Sequence, residues 1–91
     1  MKKTIKVTSR FKKDLKRVKK QKKNISLIKD IIGKLEHGEN VPQKYFPHRL
    51  KGNWIHHFEC HLEPDWLLIW RDKDEVITLV RTGSHSELFQ K

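Results

Sequence analysis

The sequence predicts an α+β fold of two layers, in which an N-terminal helical hairpin packs on a small antiparallel sheet. Apolar residues recur at helical spacing in the N-terminal part of the chain, and three strand-like runs separated by short turns fill the C-terminal part. A chain of 91 residues is long enough for one domain and too short for two that would each be stable alone. We therefore expect a single domain over residues 1–91, with the element order β-α-α-β-β-β and a short C-terminal helical turn.

The first strand and the first helix follow from the pattern near the N-terminus. Residues 4–8 alternate apolar and polar side chains and include β-branched residues, which is typical of a short strand. Ser9 is a suitable N-cap for the helix that follows. Phe11, Leu15 and Val18 recur at spacings of four and three, which predicts a narrow apolar stripe on a very basic helix.

A second helix begins after the lysine-rich break at residues 19–23. Asn24 is a suitable N-cap for it, and Gly38 is well placed to end it in the left-handed conformation. Its apolar stripe is wider than that of the first helix, and the two helices form the hairpin. The stripe comprises Ile25, Ile28, Ile31, Ile32 and Leu35.

The C-terminal part of the chain predicts a meander of three strands. Residues 39–52 are irregular, with two prolines and a glycine, and strand-like runs follow at 54–62, 66–71 and 76–82. The connections at 63–65 and 72–74 have the length of hairpin turns. Gly83 allows a turn after the last strand, and residues 84–89 predict one helical turn.

The positive charge is concentrated in the predicted helices. Residues 1–35 carry 14 Lys or Arg against two acidic residues, whereas residues 36–91 carry seven basic and nine acidic residues. A basic surface attracts nucleic acid by contacting phosphates and releasing counterions. We expect Lys12, Lys16 and Lys19 to bind RNA in this way, and a lysine-rich face without any ligand is the alternative.

The single cysteine, Cys60, excludes an intrachain disulfide and is typical of a reducing compartment. No apolar run is long enough for a transmembrane helix, and the N-terminus lacks the apolar stretch of a secretory signal. These observations predict a cytoplasmic protein without a membrane partner. Cys60 and His61 are neighbours on a predicted strand and point to opposite faces, so we expect a buried core thiol rather than a nucleophile.

Polar side chains at the ends of the predicted strands are the candidates for chemistry. His48, His61, Arg81 and His85 lie in loops or at strand ends, and Asp65 lies in a turn. Histidine, with an ordinary pKa of about 6.5, exchanges protons near neutrality, and arginine presents a fork of donors that matches phosphate. In a basic chain, this set indicates cleavage of a polyanion, although any one histidine alone is more often a surface or packing residue.

A metal site is the competing interpretation of the six histidines. His57 and His61 share a strand face but lie four residues apart, about 13 Å at roughly 3.3 Å per residue, which is too far for a single zinc ion. No C-x-x-C or H-E-x-x-H pattern is present. We therefore expect no metal and no other cofactor.

Two aromatic residues near these polar groups have alternative interpretations. Trp66 follows Asp65 at a turn and either packs in the core or stacks on an RNA base. Phe89 closes the polar C-terminal segment and serves either as a packing anchor or as a second stacking platform.

Three segments carry a family resemblance: PHRLKGNW at 47–54, HLEPDWLLIW at 61–70 and RTGSHSELF at 81–89. Together they resemble the YafQ branch of the RelE/ParE superfamily of bacterial type II toxins. The resemblance implies a metal-independent endoribonuclease that cuts mRNA in the ribosomal A site. It also implies contact with the ribosome and its 16S rRNA, inhibition by a cognate antitoxin, and binding of operator DNA through that antitoxin.

The same resemblance implies roles for individual residues. His48, His61, Asp65 and His85 would be catalytic, and Arg81 would contact the phosphate. Trp66 and Phe89 would line the site. Two alternatives remain open: a ParE-like toxin that inhibits DNA gyrase, and a non-catalytic module that binds RNA or the ribosome through the basic helices.

The chemistry of RNA suggests how such a set would act. The ribose 2′-hydroxyl is an internal nucleophile beside the scissile phosphate, so a base and an acid suffice for cleavage. We expect His85 to be the general acid and His61 to be the leading candidate for the base. Asp65 and His48 would orient these groups or share the proton transfer.

Overall fold

Two helices lie against one face of a five-stranded sheet in the computed structural model, which describes residues 2–89. The α+β class predicted from the sequence is confirmed, with one short strand added before the meander. The strands are β1 (Thr4–Val7), β2 (His48–Arg49), β3 (His57–Glu63), β4 (Trp66–Lys73) and β5 (Val76–Gly83), and the helices are α1 (Ser9–Lys20), α2 (Ile25–Glu36) and α3 (His85–Leu88).

The sheet is mixed rather than wholly antiparallel. Its strand order is β1-β5-β4-β3-β2. The neighbouring pairs β2–β3, β3–β4 and β4–β5 are antiparallel, and β1 pairs parallel with β5. A parallel pair needs a long connection, and here the two helices and the meander all lie between its strands. Sequence alternation identifies β1 as a strand but carries no information about which strand it joins.

The ends of the helices agree with the predicted capping residues except at one place. The side chain of Asn24 accepts the amide of Ser26, and Gly38 has the expected left-handed φ of 73°. Thr8, not Ser9, caps α1: its hydroxyl accepts the amide of Phe11. This residue also donates to the Val80 carbonyl at 3.0 Å, so the helix cap is fastened to β5.

The strand predicted at 54–62 begins only at His57. Residues Gly52–Trp54 form a turn of 3₁₀-helix, and His56 has a left-handed φ of 66°. His56 is therefore outside the strand, where its carbonyl accepts the amide of Asp72.

The core lies between the helices and one face of the sheet. Alternation along β3 directs Phe58, Cys60 and Leu62 toward the helices, and the predicted burial of Cys60 is confirmed. Burial, together with the neighbouring Glu59 charge, raises the pKa of the Cys60 thiol to about 12, so the thiol is not a nucleophile near neutrality. The helices contribute their predicted apolar stripes, of which the most deeply buried members are Phe11, Val18, Ile28, Ile31 and Leu35.

Beyond the end of β1, side chains of α1 make hydrogen bonds to the backbone at the open edge of β5. The Asp14 carboxylate accepts the Thr82 amide at 3.2 Å, and Arg17 donates to the Thr82 carbonyl at 2.9 Å. These two side chains replace the hydrogen bonds that a neighbouring strand would make to β5. Asp14 also accepts two hydrogen bonds from Arg81, at 2.6 and 3.2 Å, and one from Arg17 at 3.0 Å.

Asp14 is almost completely buried and ionised. Burial raises its pKa, but the hydrogen bonds from Arg81 and the Thr82 amide, together with the charges of Arg81 and Arg17, outweigh burial, and the net pKa lies below its usual range. A buried carboxylate with these partners is costly to neutralise, because its loss would leave Arg81 without its carboxylate partner and would remove one acceptor of Arg17.

We predict that Asp14→Asn lowers the free energy of unfolding by about 2–4 kcal/mol at pH 7, less than for a wholly buried pair because Arg17 is partly exposed. The folded-state pKa is depressed, so the carboxylate contributes fully above the unfolded value of about 3.9 and loses its contribution as the pH falls through the folded value. The difference in free energy of unfolding between wild type and Asp14→Asn should therefore be largest above about pH 5 and become smaller in more acidic solution. Urea unfolding at several pH values measures it.

Asp30→Asn is the matched control, since Asp30 is an exposed carboxylate on α2. It should change stability by less than about 0.5 kcal/mol. A similarly small effect of Asp14→Asn would contradict the role given to the buried carboxylate.

Candidate active site

The register of three neighbouring strands brings polar side chains to the sheet face that is opposite the helices. Glu59 of β3 and Arg81 of β5 both pair with Ile69 of β4, and His61 pairs with Leu67. Directly paired residues point to the same side of a sheet. Glu59, His61 and Arg81 therefore share one face, over fully buried Leu67 and Ile69.

Glu59 lies between two histidines on this face. Strand β2 pairs His48 opposite Glu59, and Nε2 of His48 is 3.1 Å from Oε1 of Glu59. Nε2 of His61 is 3.8 Å from the same oxygen, and the two imidazole ring centroids are 6.2 Å apart. The Glu59 side chain is only 9% exposed, whereas those of His48 and His61 are 48% and 26% exposed, so water partly screens its charge from both rings.

Asp65 and His85 form a second pair of carboxylate and imidazole beside the first. Oδ1 of Asp65 accepts the backbone amide of His85 at 2.9 Å and lies 2.7 Å from its Nδ1. The His85 ring centroid is 5.5 Å from that of His61. The structure thus brings together His48, His61, Asp65 and His85, the four groups for which the sequence suggested proton transfer or orientation.

The Asp65 carboxylate determines which nitrogen of His85 carries a proton. Hydrogen bonds from the His85 amide and then from its ring lower the pKa of Asp65, so the carboxylate is ionised near neutrality and can only accept. The proton therefore lies on Nδ1. Nε2 remains as the nitrogen available for exchange with a substrate.

Helix α3, which carries His85, is anchored at both ends of its first turn. Ser84 and Glu87 form a capping box, in which Glu87 accepts the Ser84 amide at 2.8 Å and the Ser84 hydroxyl accepts the Glu87 amide at 3.2 Å. Glu87 also accepts from Gln21 at 3.1 Å and lies 3.1 Å from Nε of Arg17. The side chains of Arg17 in α1 and of Gln21 just after it therefore hold the short helix that carries His85.

Gly83 joins β5 to this helix at a place where a side chain would displace Arg17 and Glu87 from their positions. Its φ is 154°, and a Cβ atom would lie 2.5 Å from Nη2 of Arg17 and 2.9 Å from Oε1 of Glu87. The glycine lets Arg17 reach the Thr82 carbonyl while the chain turns toward His85.

Arg81 shares the site face but is held at its margin. Two strand spacings, roughly 10 Å, separate its backbone from that of Glu59. Its Nε and Nη2 atoms bind Asp14, and its Nη1 makes no hydrogen bond within residues 2–89. Part of the Arg81 guanidinium is thus used in the buried ion pair with Asp14, and Nη1 is the donor that remains for an anion.

Trp66 does not line the site, and the prediction that its ring stacks on a base is wrong. Its side chain is fully buried on the core face, where Nε1 donates to the Thr82 hydroxyl at 2.9 Å. The Thr82 hydroxyl in turn donates to the Leu67 carbonyl at 2.7 Å. Trp66 was misjudged because a residue beside a turn can still point inward, and the indole N–H has a buried partner here.

Phe89 is partly exposed and packs edge-to-face on Trp54, with ring centroids 6.3 Å apart. Trp54 also contacts the His57 ring, at 5.3 Å between centroids. Phe89 therefore belongs to a group of rings with Trp54 and His57. Its contact with an RNA base stays a prediction.

Lys12, Lys16 and Lys19 are exposed on α1, away from the buried side of that helix. Their contact with RNA also stays a prediction. Lys23, just after the helix, lies nearer the candidate site: its Nζ is 5.8 Å from the Trp66 ring centroid and 3.9 Å from a Glu63 oxygen.

Two residues of this site were not singled out from the sequence. Glu59 could have been found, because it alternates with His57 and His61 on one strand face. Phe46 could not: it lies in the irregular segment, yet its ring centroid is 6.2 Å from that of His61.

Within residues 2–89, no group of three or more His, Cys, Asp or Glu side chains is arranged to hold a metal ion. No helix in the described part of the chain has the length and apolarity needed to cross a bilayer.

Comparison with known proteins identifies close relatives by sequence. The family model for YafQ, described as a bacterial toxin of a type II toxin–antitoxin system, matches residues 3–90. The mRNA interferase toxin YafQ of Escherichia coli strain K12 is 33% identical over 86 residues, which cover 93% of this chain and 94% of that protein.

Solved structures share the fold over nearly the whole chain. The E. coli DinJ–YafQ toxin–antitoxin complex contains a chain with a TM-score of 0.91 and 31% identity, covering 98% of this chain and 99% of that chain. A metal-bound toxin from Helicobacter pylori has a TM-score of 0.88 and 40% identity, covering 96% of this chain and 99% of that chain. The similarity therefore includes the elements that carry the candidate site.

We predict that neutral His85 carries its proton on Nδ1 and that Asp65→Asn weakens this preference, since an amide can donate as well as accept. Nitrogen-15 NMR shifts of the imidazole distinguish the two tautomers. Glu63→Gln, a change at a nearby exposed carboxylate, is the control and should leave the tautomer as in wild type. An Nε2 proton in the neutral wild-type ring would contradict the assignment.

Proposed function

Since the chain belongs to the YafQ family of bacterial toxins from type II toxin–antitoxin systems, we propose that it is an mRNA interferase that cleaves RNA by attack of a ribose 2′-hydroxyl. The observation that supports this mechanism is the proximity of the His61 and His85 rings, 5.5 Å between centroids, with a carboxylate near each ring. Two imidazoles this close can act on the same nucleotide, one on the attacking oxygen and the other on the leaving oxygen.

His85 is the general acid in this mechanism. The Asp65 carboxylate accepts from Nδ1, so the imidazolium form presents a proton on Nε2 to the departing 5′-oxygen. The same carboxylate stabilises the positive charge that the acid carries before it donates its proton. Asp65 is a positioning residue, since it acts through His85.

His61 is the general base, and Glu59 supports it. When His61 takes the 2′-hydroxyl proton, its new positive charge lies 3.8 Å from an almost buried carboxylate oxygen. Nε2 of His48 lies 3.1 Å from the same oxygen, and its Nδ1 donates to the Phe46 carbonyl at 3.0 Å. Each proton transfer contributes roughly 10²–10⁴ to the rate.

Positive side chains at the margin stabilise the phosphate as negative charge develops on it. Nη1 of Arg81 supplies a charged donor, while Asp14 holds the rest of the guanidinium in place. No protein nucleophile takes part, because the 2′-hydroxyl supplies the attacking oxygen.

The partners follow from the same family. YafQ of E. coli has been solved in complex with DinJ, and we propose that a cognate antitoxin likewise inhibits this chain. The substrate is mRNA in the ribosomal A site, and Lys12, Lys16 and Lys19 contact 16S rRNA by their charge. Binding to operator DNA takes place through the antitoxin.

A non-catalytic RNA-binding module is the second candidate function, favoured by the exposed lysines of α1. It requires the basic helix but not the imidazoles. A gyrase-inhibiting toxin is disfavoured, because the family model that matches is that of YafQ, whose E. coli member is an mRNA interferase toxin.

We predict that His85→Ala lowers the cleavage rate of ribosome-bound mRNA by about 10²–10⁴ while ribosome binding changes little. Cleavage by wild type should leave 2′,3′-cyclic phosphate and 5′-hydroxyl ends. A 2′-deoxy nucleotide at the scissile position should abolish it. End-group analysis and single-turnover kinetics provide these measurements.

His37→Ala is the matched control, since His37 is an exposed histidine at the end of α2, in the helical layer. It should retain the wild-type rate. Products with 5′-phosphate ends would exclude attack by the 2′-hydroxyl. Loss of function on substituting Lys12, Lys16 and Lys19, with none on substituting His85, would favour the binding module.

A further inference from the structure

We propose that Phe46 is a nucleobase-binding subsite, at which its exposed ring stacks on an RNA base next to the phosphodiester that is cleaved. The inference rests on the proposed function and specifies which part of the RNA lies on this side of the catalytic groups. Phe46 is the aromatic residue that takes the stacking role for which the sequence suggested Trp66.

The first support is exposure. The Phe46 side chain is 68% exposed, whereas most aromatic rings of the described chain pack in the core or against other rings. A ring with this much free surface is suited to stack on a base, because every nucleobase has a flat face. Its neighbour Tyr45 is only partly exposed and has the Lys44 ammonium 5.2 Å from its ring centroid.

The second support is a strained but well-held backbone. Phe46 has φ 50° and ψ 53°, the left-handed conformation that a bulky side chain rarely adopts. Its amide donates to the Gln43 carbonyl at 2.9 Å, and its carbonyl accepts from Nδ1 of His48 at 3.0 Å. The ring therefore projects from a fixed backbone, and strain of this kind is concentrated at binding sites and active sites.

The third support is position. The Phe46 and His61 rings meet edge to face at 80°, with 6.2 Å between centroids. This contact leaves ring surface of Phe46 open beside the proposed general base. A cleft of about 360 Å³ adjoins both rings, with Leu62 and Pro64 among its walls.

The chemistry of this cleft suits a base rather than a phosphate. Its walls are largely aromatic and aliphatic, while Lys44 and Glu63 lie among the lining residues. An apolar surface with a few polar groups is typical of a site for a flat, partly polar ligand. The Lys44 ammonium and the Glu63 carboxylate, the latter 3.9 Å from Nζ of Lys23, are the polar groups of the cleft that would hydrogen-bond the edge of the base.

Two substitutions separate stacking from simple apolar contact. Phe46→Leu keeps an apolar side chain but removes the ring, and Phe46→Tyr keeps the ring. Ile55→Ala is the matched control, since Ile55 is 69% exposed and lines a different cleft. Circular dichroism and urea unfolding verify that each variant is folded.

The test measures binding to ribosome-bound mRNA whose scissile nucleotide is 2′-deoxy, so that chemistry is not needed. Phe46→Leu should weaken binding by about 5- to 100-fold, the range expected for one stacked base. Phe46→Tyr and Ile55→Ala should bind within about twofold of wild type.

Abasic nucleotides, introduced at one codon position at a time, then identify the base. At one position, removal of the base should weaken binding of wild type and Phe46→Tyr but have little further effect on Phe46→Leu. The proposal would be overturned if, at every position, removing the base weakened binding of Phe46→Leu as much as it weakened binding of wild type. So would unchanged RNA binding by Phe46→Leu combined with weaker inhibition by an antitoxin, since Phe46 would then belong to a protein interface.

The proposed function is tested separately by cleavage of the same mRNAs with 2′-hydroxyl at the scissile position. Absence of cleavage by wild type would contradict the catalytic mechanism. Position-specific coupling to Phe46 in the binding assay would still identify the base subsite.

Discussion

The buried carboxylate of Asp14 is the interaction on which the geometry of the site depends most. It accepts the amide of Thr82 and two hydrogen bonds from Arg81, and so joins the first helix to the end of the last strand. Gly83 and α3 come directly after this point, and Arg17, the other partner of Asp14, reaches the carboxylate of Glu87 in that helix. The position of His85 is thus determined by residues more than 60 positions earlier in the chain.

Two carboxylates give the neighbouring imidazoles different surroundings. Glu59 is nearly buried and lies close to His48 and His61, whereas Asp65 is exposed and hydrogen-bonded to both the amide and the ring of His85. The His61 ring therefore lies beside a carboxylate without a hydrogen bond to it, whereas the His85 ring is oriented by one. The clustering of the rings follows from strand register, and the carboxylates distinguish their proposed roles.

The sequence was sufficient for the fold class, the caps at Asn24 and Gly38, and four of the clustered polar groups, because these follow from local periodicity and turn chemistry. It was insufficient where a distant partner decides the outcome. The contact of Asp14 with Arg81 spans 67 positions, and the shift of register beside Ile69 is invisible to alternation. The buried indole N–H of Trp66 likewise donates to a hydroxyl 16 residues away.

The central claim is that His48, His61 and His85 surround one phosphodiester, with Arg81 at its margin. NMR titration of the protein with a 2′-deoxy dinucleotide, which contains one phosphodiester and cannot be cleaved, tests this directly. The account predicts that the signals of all three imidazoles and of the Arg81 guanidinium move together and fit a single dissociation constant, even if binding is weak. Signals that respond with different constants, or an unaffected His85, would contradict it.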